Sequence, residues 1–175
     1  MKKQILFFIL LVIPLCSFAP KAIEYYFVYS PNKYNAAYLE KKEYIRQIMN
    51  TISWQESRGK NHLVGSSGER GEFQIMPGTW KAWCKQYFGK WKPMTRENQY
   101  IIVELVITSW VMKGFTLKQI AAKWNCGTHI GWEKKIGINS FGAHYDVPAY
   151  VSHFVQQYQK IKKYSEVNYN TYASL

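Results

Sequence analysis

The sequence predicts a mainly α-helical fold built as one domain, and three observations support this prediction. The chain has 175 residues, a length that suits one domain and can bury a hydrophobic core. Apolar residues recur with the 3.6-residue period of a helix in several segments. These segments are bounded by residues that start or stop helices, and no internal repeat or low-complexity block interrupts them.

The segment 1–19 has the parts of an export signal. Lys2 and Lys3 supply a positive start, 5–15 is an apolar run, and small residues precede the expected cleavage after Ala19. The run is too short to span a bilayer comfortably, which favours a cleaved signal peptide over an anchor. A bulky Leu before the cysteine of this segment disfavours lipidation. We therefore expect an exported protein of the periplasm or cell envelope, or an extracellular one.

The first helix is predicted from about Tyr38 to Ser57, after an extended, tyrosine-rich lead-in over 20–38. Glu56 lies on the apolar face of this helix, together with Ile45, Ile48, Met49 and Ile52. A carboxylate on an apolar face is costly unless it is paired, protonated or used. Partial burial also raises its pKa, as a general acid working near neutral pH requires. The alternative is a helix-end Glu held by a nearby Lys or Arg.

The middle of the chain alternates loops and helices. The segment 58–76 follows the first helix, and we call it the Gly/Ser loop because glycine and serine are concentrated at 65–71. Thr79 is expected to cap a short helix that Gly89 closes. Thr95 opens the longest helix, which ends at Gly114 and is apolar around much of its girth. We expect it to be the buried central helix.

The C-terminal part begins with a helix whose start is a capping box, Thr116 and Gln119. Residues 127–145 are loop-like, with room for a short strand pair. The segment 146–148 starts the last helix, which carries the apolar stripe Val151, Phe154, Val155, Tyr158 and Ile161. Residues 164–175 form a polar tail that is expected to fray.

Charge and composition limit the partners and cofactors. The formal charge of +12 becomes +10 without the two signal lysines, which favours polyanionic partners such as an anionic cell wall or membrane surface. The remaining lysines form no basic arm and no recognition motif is present, so nucleic acid is not expected. Neither metal-ligand spacing nor a phosphate-binding loop occurs, so we expect no metal and no cofactor. Cys84 and Cys126 are an even pair that an oxidising compartment could join as a disulfide.

Three ordered motifs resemble a known family. The pair Glu56-Ser57 precedes GERGEFQIMPGT at 68–79, AAKWNCG occupies 121–127, and PAYV occupies 148–151. These motifs are similar to those of the soluble-type lytic transglycosylases. The family signature is a Glu-Ser pair followed at a fixed distance by G-x-x-G-x-x-Q-[IL]-M-P-x-T.

The resemblance covers roughly 42–162 and implies a lysozyme-like fold, which we assign to 39–163. It implies that Glu56 alone serves as acid and then base, cleaving the MurNAc-β-1,4-GlcNAc bond of peptidoglycan and closing a 1,6-anhydro ring. The family often has a Ser at the position of Gly65, so the two serines that follow are both candidates for contacting substrate. The substrate-binding residues that we infer are Ser57, Ser66, Ser67, Gln74, Trp124, Asn125 and Tyr150.

Several of these side chains also have an ordinary structural explanation. The amide of Gln74 could satisfy the loop backbone, and the hydroxyl of Ser57 could cap the helix end. Tyr150 could be a core residue, and Asn125 could shape a turn. Trp124 replaces the usual Tyr of the family and can stack on a sugar, although it offers one N–H where a phenol both donates and accepts.

The choice between ring closure and hydrolysis depends on a second carboxylate. Glu72 is the rival considered, at a motif position that is usually apolar in the family. It is either a surface substitution or a working carboxylate that favours hydrolysis. An apolar wall around Glu56, formed by Phe73, Met76, Trp124 and Tyr150, is expected to exclude water and favours the transglycosylase.

Other classes of function remain as alternatives. A hydrolytic muramidase would use the same fold, and a non-catalytic wall-binding protein would keep only the groove. The expected partners are peptidoglycan glycan strands, with an envelope-spanning secretion or conjugation machine as a further candidate.

Overall fold

The computed structural model is mainly helical, which confirms the predicted mainly α single domain with a Gly/Ser loop after the helix of Glu56. The predicted signal peptide, 1–19, and the lead-in as far as residue 35 lie outside the described residues. The structure describes the backbone of 36–138, 142 and 144–173, and the side chains of 40–138, 142 and 144–165.

The helices follow one another through short connections, and two short strands precede the last helix. The elements are α1 (Ala36–Ser57), α2 (Pro77–Trp83) with a π-helical turn (Cys84–Phe88), α3 (Arg96–Met112), α4 (Leu117–Cys126), a 3-10 turn (Trp132–Lys134), β1 (Ile136–Ile138), β2 (His144–Asp146) and α5 (Val147–Ala173). The strands pair antiparallel, with Gly137 opposite Tyr145, so the predicted strand pair is confirmed.

One hydrophobic core joins α1, α3, α4 and α5. The predicted apolar face of α1 is buried, with Ile48 and Ile52 fully enclosed. Helix α5 packs against α1 and α4 and contributes Val151 and Phe154 to the core. A polar contact crosses this core, because the Tyr158 hydroxyl donates to Gln47 Oε1 at 3.0 Å.

The central helix is α3, although its burial is one-sided. Ile102, Val106 and Ile107 are buried, whereas Ile101 and Met112 are exposed. The expectation that α3 is the buried central helix is therefore correct for one of its sides only. Apolar residues on the outer side of α3 face solvent because α1 covers the other side.

Most predicted helix boundaries are confirmed by their capping bonds. Thr95 accepts a hydrogen bond from the Asn98 backbone N–H at the start of α3. Thr116 and Gln119 form both reciprocal bonds of the capping box. Asp146 Oδ1 accepts from the backbone N–H of residue 149 at 2.8 Å, as expected for the start of α5.

Two predicted boundaries are wrong. Helix α2 begins at Pro77, with Met76 as its extended cap, so Thr79 lies inside the helix. The ring of Pro77 presets a helical φ, and its missing N–H costs nothing in the first turn. The tail after 163 does not fray at once, because α5 continues to Ala173. No Gly or Pro occurs between 164 and 173 to stop it.

The possible disulfide between Cys84 and Cys126 does not form in the structure, in which both cysteines are free thiols. Cys84 is buried in the π-helical turn, and its thiol donates to the Lys92 carbonyl oxygen at 3.7 Å. The Cys126 thiol lies 3.6 Å from the Thr128 carbonyl oxygen. Each thiol thus contacts a backbone carbonyl oxygen that is nearby in sequence.

Among the described residues, no helix is both long and apolar enough to cross a membrane. Within the same part of the chain, no group of three or more His, Cys, Asp or Glu is arranged to hold a metal ion.

Candidate active site

A cavity of about 560 Å³ is bordered by the end of α1, the Gly/Ser loop (58–76), α2 with its π-helical turn, α3 and α4. The lining is rich in groups that suit a sugar chain, namely carboxyl, amide and aromatic side chains. Aromatic faces stack on the apolar faces of sugar rings, and polar side chains bind their hydroxyls. The aromatic part of the wall consists of Trp83, Tyr87, Trp110 and Trp124.

Glu56 lines this cavity from the last turn of α1 and is half-buried. Burial is the largest effect on its carboxyl group and raises its pKa above the usual value. Hydrogen bonds from Tyr150 and Trp124 oppose this rise, while the charge of Glu69 adds to it. The net result is a raised pKa, so Glu56 keeps its proton to a higher pH than an exposed Glu.

Tyr150 supports Glu56 from the first turns of α5. Its hydroxyl donates to Glu56 Oε1 at 2.6 Å, and its ring stacks on Phe154 with centroids 6.3 Å apart. Burial, then the charge of Glu56 and their hydrogen bond, raise the pKa of Tyr150 well above its usual value. The phenol therefore remains a hydrogen-bond donor. The Tyr150 carbonyl oxygen also accepts from Gln55 Nε2 at 3.1 Å, which holds α5 to α1.

Trp124 belongs to the aromatic wall, and its side chain acts on the Glu56 carboxyl in the direction that lowers the pKa of that group. Its ring contacts Trp83, Trp110 and Phe73, with centroids 5.7, 6.3 and 6.4 Å away. These contacts fix the orientation of the indole. The indole of Trp124 is therefore held at the wall of the cavity.

The predicted apolar wall around Glu56 is only partly formed as expected. Met76 and Trp124 line the cavity. Phe73 is fully buried against Tyr100 and Trp124, and Tyr150 supports the acid from behind.

Gln74 faces the cavity and also holds the Gly/Ser loop together. Its amide nitrogen donates to the carbonyl oxygens of Leu63 and Gly71, at 3.1 and 2.8 Å. The residue adopts a left-handed backbone with φ of 47°, which is unusual for a residue other than Gly. Both roles considered for Gln74 are therefore compatible with its position, although its donor groups already serve the loop.

The three candidate serines lie away from the lining of the cavity. Ser57 is buried, its hydroxyl lies 2.7 Å from the Glu72 carbonyl oxygen, and it accepts from the Lys60 N–H at 3.1 Å. These contacts match the helix-end role. Ser66 is exposed, and the backbone N–H of Ser67 donates to Glu69 Oε2 at 3.0 Å. Asn125, by contrast, does line the cavity.

Glu72 is buried, so its interpretation as a surface substitution is wrong. Its carboxylate accepts from Ser53 Oγ at 2.6 Å, Tyr100 OH at 2.5 Å and Arg96 Nε at 3.1 Å. It does not line the cavity. Because its oxygens are engaged by three donors, Glu72 ties the Gly/Ser loop to α1 and α3.

Glu69 is the carboxylate that the sequence analysis missed. It lines the same cavity as Glu56, and its negative charge acts on the Glu56 carboxyl. Isolated bridges between Val64 and Arg70, and between Arg70 and Ile75, fold the Gly/Ser loop and bring Glu69 to this position. The loop has no hydrophobic period, so its sequence carries no signal for this orientation.

Gly65 lies directly beside the ends of the Glu69 and Gln74 side chains. A Cβ built on Gly65 would lie 2.3 Å from Glu69 Oε2 and 2.8 Å from Gln74 Oε1. The space that a Ser side chain would use is thus occupied by the Glu69 carboxylate. Gly at position 65 therefore leaves room for the Glu69 carboxylate.

Comparison with known proteins returns a structural similarity. No family model matches the chain, and no curated protein sequence matches it either. A solved structure of an inactive mutant of the lytic transglycosylase Slt from Pseudomonas aeruginosa is similar, with 20% sequence identity and a TM-score of 0.41. The similar region covers 69% of this chain and 22% of that one.

Proposed function

We propose that this chain is a peptidoglycan lytic transglycosylase with Glu56 as its acid and base. The observation that carries the proposal is a half-buried carboxyl with a raised pKa, held by Tyr150, in a cavity walled by aromatic rings. A raised pKa is what a general acid near neutral pH requires. The Glu-Ser pair and the three ordered motifs support the same family of reactions.

In the proposed reaction, Glu56 first protonates the oxygen that links MurNAc to GlcNAc, and that bond breaks. The acetamido group of the muramyl sugar stabilises the positive charge left on C1. Glu56, now a carboxylate, removes the proton of the C6 hydroxyl as its oxygen bonds to C1. One acid/base group suffices because the nucleophile is intramolecular. The hydrogen bond from Tyr150 stabilises Glu56 during the interval in which it is charged.

Hydrolysis by a muramidase is the second candidate, and Glu69 specifically favours it. Glycosidases that use water need a second carboxylate near the acid, about 5 to 9.5 Å from it. Glu69 lies in the same cavity and is close enough to influence the ionisation of Glu56. If it activates water, the product carries a reducing end and is heavier by one water than the anhydro product.

Mass spectrometry of the sugars released from purified peptidoglycan tests both candidates. The wild-type protein is expected to release 1,6-anhydro-muramyl products, and Glu56→Gln is expected to release none. Glu69→Gln should keep the anhydro product if ring closure is the reaction. Glu104→Gln is the matched control, because Glu104 is exposed on α3 and outside the cavity. If the wild type instead releases products with reducing ends, and Glu69→Gln releases none, the muramidase is the correct function.

The cellular setting follows from this proposal and from the N-terminal segment. Peptidoglycan glycan strands are the proposed substrate. Export to the periplasm or cell envelope, predicted from residues 1–19, remains a prediction. Association with an envelope-spanning secretion or conjugation machine also remains a prediction.

A further inference from the structure

The charged side chains that line the cavity are divided between its structural elements. The carboxylates Glu56 and Glu69 come from α1 and the Gly/Ser loop. The ammonium groups come from Lys113, directly after α3, and Lys123, in the last turn of α4. Among the described residues, these are the lysines that line the cavity, and arginine is absent from its lining. A bound substrate therefore meets carboxylates from one pair of elements and cations from another.

Lys123 is held in place within this wall. Its Nζ lies 3.3 Å from the Gly127 carbonyl oxygen and 5.5 Å from the centroid of the Trp110 ring. Lys113 is exposed and follows the exposed Met112. A basic residue at a helix C-terminus stabilises the helix dipole, which accounts for a Lys at either position. That explanation does not require both side chains to border one cavity that also contains the proposed acid.

We propose that Lys113 and Lys123 form a subsite for a carboxylate on the lactyl-peptide arm of the muramyl sugar. This inference rests on the proposed function. The sugar rings and acetamido groups of the strand are neutral, so its carboxylates are on the peptide stem or, where the stem has been removed, on the lactyl group itself. Such a carboxylate is repelled by Glu69 and attracted by the two lysines. Binding there would hold the muramyl sugar within the cavity that Glu56 also lines.

The test measures binding by the full chain carrying Glu56→Gln, so that the ligands are not cleaved. Three probes separate the sources of charge: glycan strands with peptide stems, strands stripped of stems by an amidase, and neutral N-acetylglucosamine oligomers. Quenching of tryptophan fluorescence reports binding, because Trp83, Trp110 and Trp124 line the cavity. The variants are Lys113→Ala and Lys123→Ala. Lys118→Ala is the matched control, since Lys118 is exposed on α4 outside the cavity.

Each cavity variant is expected to weaken binding of carboxylate-bearing strands about two- to fivefold, as for a partly exposed ion pair. Binding of the neutral oligomers should stay unchanged, and the difference should shrink in high salt. Weakening confined to stem-bearing strands identifies a peptide carboxylate as the ligand. Weakening on stripped strands as well identifies the lactyl carboxylate.

An equal loss on the neutral oligomers, or no loss on any probe, would overturn the subsite. Loss of Lys123 also removes a hydrogen bond at the end of α4, so Lys123→Ala could unfold. In that case Lys113→Ala alone decides the test. Failure of the proposed function has a different signature. In that case the parent Glu56→Gln protein binds none of the three probes, whatever residue stands at 113 or 123.

Discussion

Replacing Tyr150 by Phe isolates the hydrogen bond that controls Glu56. The 2.6 Å contact joins a neutral donor to a carboxylate, and bonds of this kind contribute about 1.5 to 3 kcal/mol. In the proposed reaction the bond acts on the charged form of Glu56, which appears when the leaving oxygen is protonated. Since each 1.36 kcal/mol corresponds to a factor of ten in rate, Tyr150→Phe should lower kcat/KM about 10- to 100-fold.

The same substitution should change the pH dependence in a defined direction. A hydrogen bond to the charged form lowers the pKa of Glu56, so its removal raises that pKa further. Glu56 must be protonated to act as an acid, and the alkaline limb of kcat/KM reports this requirement. We therefore expect that limb to move to higher pH in Tyr150→Phe.

Turnover of a soluble muropeptide polymer, measured across the pH range for wild type and variant, checks both expectations. Tyr145→Phe is the control, because Tyr145 is exposed on β2 and outside the cavity. An alkaline limb that stays in place, or moves to lower pH, would refute the assignment of Tyr150 as the residue that tunes Glu56.

Three further predictions concern the acid and the Gly/Ser loop. Glu56→Gln should lower turnover by at least 10² to 10⁴. Because the pKa of Glu56 is raised in the folded state, the stability of the wild type falls as the pH rises from the pKa of the unfolded chain through that of the folded protein. Chemical denaturation at pH 7 should therefore find Glu56→Gln no less stable than the wild type. Glu72→Gln should lower the free energy of unfolding by about 1 to 3 kcal/mol and leave the products unchanged, and an inactive but fully stable variant would contradict this. Gly65→Ala should displace the flexible ends of Glu69 and Gln74, with a stability loss of about 1 kcal/mol or less but a clear loss of turnover. Gly78→Ala is the control and should keep full turnover, because a Cβ at Gly78 meets nothing within 4 Å. Equal activities of the two variants would show that contact between the new Cβ at position 65 and these side chains does not affect turnover.

The helical parts of the molecule were predictable because a helix buries one face at a regular period. The stripe through Ile48 and Ile52 indicated that Glu56 would lie beside the core, and this residue is half-buried there. Capping is equally local, since the bonds of Thr116 and Gln119 depend on residues three positions apart. Both kinds of signal are contained in a few turns of chain.

The loop residues of the site were not predictable in the same way. Glu69 and Glu72 are three positions apart in one loop, and the sequence analysis weighed only Glu72 as a second carboxylate. Its buried donors come from α1 and α3, namely Ser53, Arg96 and Tyr100. Residues so far away in sequence decide that Glu72 turns inward and leave Glu69 to line the cavity.

The amino-acid sequence by itself determined the order of the helices, most of their caps and the position of Glu56 on a buried face, because all of these arise from contacts within a turn or two. Only the tertiary structure decided which carboxylate joins Glu56 in the cavity, which serines lie outside its lining, and that Cys84 and Cys126 are not bonded to each other. Those outcomes depend on the path of a loop without period and on packing between helices distant in sequence. Side chains of identical chemistry are buried or exposed in the cavity according to that packing.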